Sequence, residues 1–260
     1  MLEKVRSTLR RAIRGFGFDV VRYKSYDPDS VLEGKIVSWK ENDVRVRFFV
    51  ENQHDLIQGE HLKQGFYERD ELELIQRAFN GGTFVDIGAN VGNHTIYAAL
   101  ILGATKVIAI EPNPAAQRIL RVNISINDQH DRVVLHPVGL SDAAGHANIG
   151  RTKVGNLGNT ELERNDSHGE IKLLTGDEVL NGTKVDFIKI DTEGNELNIL
   201  KGLSKTIERD RPPLFVEVDN ANAAKFHEFI RACGYSVEKR YRRYDESENF
   251  LAVPEKPSTM

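Results

Sequence analysis

From Gly82 onward the chain alternates short apolar runs with segments of helical spacing, and this alternation constrains the fold more than any other feature. TFVDI, KVIAI, VVLHPV, DFIKID and PLFVEV are apolar, β-branched and too short for helices, so they read as strands buried on both faces. Between them the spacing predicts helices over Asn93 to Leu102, Pro114 to about Asn127, Asn195 to Lys201 and Ala221 to Cys233. Pro114 suits a first helical turn, and Gly202 and Gly234 suit helix stops. Thr175-Gly176-Asp177-Glu178 fits a capping box that opens a short helix. Strands joined through helices form βαβ units, and these stack into a parallel, doubly wound sheet. The last segment, YSVEKRY, DESE and NFLAV, reads as two strands joined by a polar turn. A turn that short requires an antiparallel neighbour. The expected fold is α/β: a doubly wound, mostly parallel sheet with an antiparallel C-terminal strand pair.

Residues from about 30 to 79 follow a different pattern. KIVSW and VRVRFFV alternate between polar turns, a helix is predicted from about Asp70 to Phe79, and Asn80-Gly81-Gly82 ends it. Residues 1–79 are therefore expected to hold an N-terminal helix and a small α/β extension, and residues 80–260 the main domain. The region from Ser141 to about Glu170 is polar, with a loop expected from Gly150 to Glu170. Within residues 1–18, Leu2, Val5, Leu9, Ile13 and Phe16 lie at helical spacing among Lys4, Arg6, Arg10, Arg11 and Arg14. The segment lacks the apolar run and cleavage site of a secretory signal. Two readings stand: peripheral contact with an anionic membrane surface, or a helix packed on its own protein.

Composition excludes several function classes. A net charge of −4 is not that of a nucleic-acid binder. The single cysteine, Cys233, excludes an internal disulfide and a cysteine-rich zinc site. It points to a reducing, cytoplasmic compartment, with the inner membrane surface as the place of any attachment. The longest apolar stretch, Thr95 to Ile110, contains Lys106 and falls short of the ~20 residues of a membrane span.

The turn in FVDIGANVGNHT lies where doubly wound sheets bind ligands. Gly88 permits a sharp bend, Gly92 permits close approach, and Asn90 tolerates a left-handed backbone. The amides from Val91 to Thr95 open a helix and suit an anionic group. No Gly-Lys-Ser/Thr follows, which excludes a Walker A site. G-A-N-V-G-N lacks the middle and last glycines of a dinucleotide fingerprint, so an NAD-dependent oxidoreductase fits poorly. Glu111, at the end of KVIAI, suits the two hydroxyls of a ribose. Asp86, just before the turn, would sit badly beside a pyrophosphate and suits an ammonium group. S-adenosylmethionine carries both a ribose and an ammonium group, and is the expected cofactor.

DIGANVGNHT, IEPNP, VGLSD and above all DFIKIDTEGNELNILKG resemble the FkbM family of S-adenosylmethionine-dependent methyltransferases, in the class I, Rossmann-like group. The resemblance covers roughly Glu68 to Val218. It implies that Asp86, Gly88, Asn90 and Gly92 line the methionine part of the cofactor, with Asn93 and His94 near it. It implies that Glu111 holds the ribose, that Ser141 and Asp142 lie at the adenine, and that Asp191 stands beside the transferable methyl. It also implies O-methylation of a sugar, glycan or secondary-metabolite hydroxyl. Methyl transfer from a sulfonium needs an aligned nucleophile and a proton acceptor. Asp191, Glu193 and Glu217 are the candidates for that work. The polar loop, with Arg151 and Lys153, is the candidate for holding a hydroxylated small-molecule or glycan acceptor. Glu196, in the first turn of a helix, reads as structural. Asp191 after one strand and Asp219-Asn220 after the next resemble the magnesium ligands of catechol-type O-methyltransferases. Such pairs more often cap helices, so metal-free catalysis is preferred over Mg²⁺. A non-catalytic module that binds the cofactor is the third reading, beside methyltransferase and oxidoreductase.

Overall fold

The computed structural model describes residues 21–22, 31–152, 157 and 160–255. The basic amphipathic segment 1–18, Lys153 and the side chain of Arg151 lie outside the described residues. In chain order the elements begin with Val21–Arg22 (β1), Val31–Leu32 (β2), Lys35–Glu41 (β3), Val44–Val50 (β4), Leu56–Leu62 (α1) and Arg69–Ala78 (α2). Then come Thr83–Ile87 (β5), Asn93–Leu100 (α3), Lys106–Ile110 (β6), Pro114–Ile126 (α4) and Val133–His136 (β7). Gly139–Leu140 (β8), Gly145–Thr152 (β9), Thr160–Arg164 (β10), Ile171–Leu174 (β11) and Gly176–Leu180 (α5) follow. The chain continues through Phe187–Ile190 (β12), Glu196–Gly202 (α6), Ser204–Asp210 (α7), Leu214–Asp219 (β13) and Ala223–Ala232 (α8), and closes with Tyr235–Tyr241 (β14) and Ser247–Pro254 (β15).

The main sheet has the order β14-β15-β13-β12-β5-β6-β7. Its β7, β6, β5, β12 and β13 run parallel, while β15 is antiparallel to both β13 and β14. This is the doubly wound sheet with an antiparallel closing pair that the alternation predicts. Strand parity divides the side chains between two cores. Val85, Ile87, Ile188, Ile190, Val216 and Val218 pack on one face with α6, α7 and α8. Phe84, Phe187 and Phe215 pack on the other, with α2 and α3. The same parity puts Asp86, Lys189 and Glu217 on the phenylalanine face, one step nearer the carboxyl ends of the strands.

The β3–β4 hairpin shares that second core, through Val46 and Phe48 packed with Phe66, Leu72, Ile75 and Tyr97. Its free edge is closed by side chains of α4. Asn123 accepts from the Phe49 amide at 2.7 Å and donates to the Val91 carbonyl at 2.7 Å. Asn127, one helical turn on, accepts from the Arg47 amide and donates to the Arg47 carbonyl. Two side-chain amides thus replace a missing strand, which leaves no open edge there for aggregation.

Two elements differ from expectation. The polar region from Ser141 to Glu170 contains two strands, β9 and β10, which with β11 and β8 build a second sheet of order β10-β9-β11-β8. Ala147, Ile171, Leu173 and Leu162 form its small apolar cluster, while its other face meets solvent, so the segment looks polar as a whole. Helix α7 is also unanticipated. Its first amides are capped over a long range by Asp177 of α5, which accepts from Lys205 and Thr206 at 3.1 and 2.9 Å. A cap supplied from elsewhere in the chain leaves no local signature. The capping box at Thr175 and Glu178 forms as expected. No helix among the described residues is long and apolar enough to cross a membrane.

Candidate active site

A cavity of about 540 Å³ opens beyond the carboxyl ends of β5, β6, β12 and β13. That volume lies within the roughly 300–1,000 Å³ of small-molecule sites. The β5–α3 turn forms its floor. Gly88 sits at φ +76°, and a Cβ there would meet the Asp191 carbonyl oxygen at 1.8 Å. Gly92 sits at φ +95°, and a Cβ there would meet Leu120 Cδ1 at 2.5 Å. The first glycine therefore lets two strand ends converge under the cavity. The second lets α4 pack against the turn, and it does not line the cavity.

Glu111 closes β6 and is nearly buried. Its Oε2 accepts from the Asn90 amide at 2.7 Å and its Oε1 from the Asn113 amide at 2.7 Å. Burial pushes its carboxyl up to about 7 despite these two donors. Asn90 is held at φ +48°, and its buried Oδ1 has no partner. Glu68 and Glu193, at φ +59° and +55°, also line the cavity. Three non-glycine residues in left-handed conformations around one cavity is a concentration of backbone strain typical of functional sites.

Beneath the turn lies a buried ion pair that sequence reasoning missed. Asp86 is 0% exposed and Lys189 3% exposed, and the two face each other in register on adjacent strands. Lys189 Nζ lies 3.3 Å from Asp86 Oδ1 and 3.6 Å from Asp191 Oδ2, and donates to the Gly88 carbonyl at 2.9 Å. The other Asp86 oxygen accepts from the Thr95 hydroxyl at 2.6 Å. Burial alone would lower the Lys189 ammonium, but Asp86, Asp191 and Glu68 together hold it above the ordinary lysine value. Asp86 does not line the cavity; Lys189 stands between it and the open space. A lone lysine inside the otherwise apolar FIKI run was the available signal, since buried lysines are almost always paired.

Three carboxyls meet at the cavity end nearest β13. Glu217, Asp191 and Glu68 interact electrostatically, and Glu217 also accepts from the Ser247 hydroxyl. Burial first, and Asp191 second, raise both Glu68 and Glu217 well above the ordinary carboxyl range. Glu217 and Asp191 are close enough to share a hydrogen bond when one carries a proton. Glu68 had no sequence signal, because it reaches the cavity through docking of the turn before α2. Asn93 makes that dock: it accepts from the Tyr67 amide at 3.0 Å and donates to the Tyr67 carbonyl at 2.9 Å. His94 stands beside Glu68, Nε2 to Oε2 at 3.8 Å, and burial lowers it to about 4, so it is neutral near pH 7.

The folded chain holds the Glu68 and Glu217 protons more tightly than the unfolded chain. Their contribution to stability is therefore full below the unfolded carboxyl pKa of about 4.3, and is lost as pH rises through the elevated folded values. The urea midpoint should fall between pH 7 and 9.5, and the Glu68→Gln/Glu217→Gln double variant should show a flatter profile. An equally steep profile in the variant would contradict the assignment.

The remaining sequence candidates separate cleanly. Gly88, Asn90, Asn93, His94, Glu111, Asp191, Glu193 and Glu217 line the cavity. Asp86, Gly92, Ser141 and Asp142 do not, although Val138, Gly139 and Leu140 just before Ser141 do. Glu196 is tied up locally, accepting from Thr192 and from the Gly194 amide. Asp219 lines the cavity but makes no side-chain cap, and the Asn220 amide donates to the Asp245 carbonyl at 2.6 Å. Among the described residues no group of three or more His, Cys, Asp or Glu has the arrangement of a metal site.

The chain resembles known proteins over the segment that supplies most of the cavity's lining. A family model described as the methyltransferase FkbM domain matches residues 86–237, more than half of the chain. A hexuronic acid methyltransferase, AglP, of Haloferax volcanii is 27% identical over 145 residues, covering 54% of this chain and 58% of that protein. The chain thus spans little more than half the length of that relative. A methyltransferase, sdnD, of Sordaria araneosa is 29% identical over 204 residues, covering 60% of this chain and 78% of that protein. Among solved structures, a methyltransferase FkbM from Methylobacillus flagellatus is 20% identical, with a TM-score of 0.48 over 65% of this chain and 43% of that one. The match of the family model across β5 to β14 carries the assignment: the chain belongs to the FkbM methyltransferase family.

Proposed function

We propose that this chain is an S-adenosylmethionine-dependent methyltransferase that O-methylates a small-molecule or glycan acceptor. The row of acids at successive strand ends, Glu111, Asp191 and Glu217, around one cavity beside a glycine turn carries the reading. Bound S-adenosylmethionine would supply an electrophilic methyl group. The residues present fit that cofactor. Glu111 is anchored by two backbone amides, and its remaining lone pairs suit two ribose hydroxyls. The buried, unpartnered Asn90 Oδ1 is a polar atom that the cofactor would satisfy. Asp86 acts indirectly in this reading: paired with Lys189, it fixes the turn, and recognition of the ammonium group passes to the turn carbonyls. Val138, Leu140 and Ile199 offer an apolar wall for a flat ring.

Asp191 and Glu217 take the acceptor's hydroxyl proton, and Lys189 holds Asp191 in place. The Tyr67 and Tyr244 hydroxyls, both from residues that line the cavity, bond to each other. The hexuronic acid named for the Haloferax relative supports a sugar-like acceptor.

Calorimetry should show binding of S-adenosylmethionine and S-adenosylhomocysteine and none comparable of NAD. Glu111→Ala should weaken that binding by about 1–3 kcal/mol, the usual cost of stranding buried donors. Tighter binding of NAD would replace this reading with an oxidoreductase. Mass spectrometry of a cell extract incubated with the protein and methyl-labelled cofactor should reveal a labelled product. Cofactor binding without any labelled product would favour a non-catalytic module.

A further inference from the structure

Resting on that reading of the site, we infer that the acceptor carries a protonated amine near its reacting hydroxyl and no acid group. The acceptor end of the cavity is walled by Tyr67, Glu68, Asp191, Glu217, Asp219 and Glu246. Five of these six are acids. Lys189 is the one lysine or arginine among the described lining residues, and its charge is already divided between Asp86 and Asp191. Arg243 stacks behind Tyr67, but Glu71 holds it through two hydrogen bonds, and it does not line the cavity. His94 is neutral. A carboxylate or phosphate on the acceptor would therefore face a wall of acids with no free cation to pair with, and could enter only while Glu68 and Glu217 stay protonated.

An ammonium meets the opposite situation. Glu68 and Glu217 are short of positive charge, and an entering cation lets them ionise in place. A second observation points to a ligand here: His94 Nε2, in a side chain 6% exposed, lines the cavity beside Glu68 without a partner. Tyr67 and Tyr244 add ring faces that suit the apolar side of a sugar ring and also attract cations. A hydroxylated ring bearing an amine, such as an amino sugar, satisfies all three features. In the transfer a bond forms between the acceptor oxygen and the methyl carbon as the sulfur–methyl bond breaks. The bonding pair returns to sulfur, and the hydroxyl proton passes to the Asp191–Glu217 pair. The acceptor class thus departs from the uronic acid named for the Haloferax relative.

The test titrates the full chain, saturated with S-adenosylhomocysteine, with the methyl glycosides of glucosamine, glucose and glucuronic acid. The glucosamine glycoside should bind at least tenfold tighter than the glucuronide, with the glucoside between them. The Asp219→Asn/Glu246→Gln variant should shrink that ratio severalfold while S-adenosylhomocysteine affinity stays unchanged. Equal or tighter binding of the glucuronide would overturn the inference. So would three indistinguishable responses, including no response to any glycoside. If S-adenosylhomocysteine itself fails to bind, the cofactor reading has failed, and that result is separate from the glycoside ranking.

Discussion

Lys189→Met should destabilise the fold by about 3–5 kcal/mol, the usual cost of breaking one side of a buried ion pair. For a chain of this size that is a fall in Tm of roughly 10 °C. Methionine keeps the length and packing of the lysine stem between Asp86 and the carboxyl end of β12. It leaves Asp86, at 0% exposure, with the Thr95 hydroxyl as its hydrogen-bond donor and no compensating cation. The Gly88 carbonyl also loses its donor. Because the folded lysine value is raised, this contribution is complete below the unfolded lysine pKa of about 10.4 and disappears above the folded one. The deficit should therefore be constant from pH 6 to 9. Asp86→Asn combined with Lys189→Met should recover at least half of the loss, because it removes the stranded charge. Urea unfolding of the four proteins of this cycle measures the coupling. A loss below 1 kcal/mol for Lys189→Met would show that the pair is not what secures the turn.

This ion pair also marks the boundary of what the sequence made legible. The strands of the main sheet were readable because each is a short apolar run between punctuating glycines, prolines and caps, and burial on both faces leaves no other pattern. Glu111, Asp191 and Glu217 were readable because in a parallel sheet the ligand lies at the carboxyl ends of the strands, so acids there converge. Asp86 was assigned a direct contact on the same logic. The facing residue on β12 is a lysine that stands between Asp86 and the open space, and nothing in the FVDIG run signals it. Glu68, Tyr67 and Tyr244 were invisible for a different reason. Their positions depend on Asn93 holding the Tyr67 backbone and on Glu71 holding Arg243, contacts between segments far apart in the chain. The second sheet was missed because one of its faces is wet, so β9 and β10 carry few apolar residues.

Asp191→Asn should reduce turnover by about 10²- to 10⁴-fold, the range for loss of a general base, while S-adenosylhomocysteine affinity changes by less than about threefold. The substitution removes charge and almost no volume, and Lys189 retains Asp86 as its partner, so the β5–α3 turn persists. The pH dependence separates a chemical role from a structural one. In the wild type, Glu217 is raised by burial and by Asp191, and the proton-accepting form of the pair grows as pH increases. Wild-type kcat/KM should therefore rise with pH through the neutral and alkaline range. Asp191→Asn removes the chief charge acting on Glu217, so the residual activity should level off at lower pH. Glu217→Gln removes the titrating group and should leave a flatter profile. Purely structural damage would lower all rates without moving the profile. EDTA should change none of these rates, because proton removal rests on the Asp191–Glu217 pair and no group of three or more His, Cys, Asp or Glu among the described residues has the arrangement of a metal site. Activity lost in EDTA and restored by Mg²⁺ would assign the proton removal to a metal-bound acceptor, and Asp191 would then be a ligand to that metal.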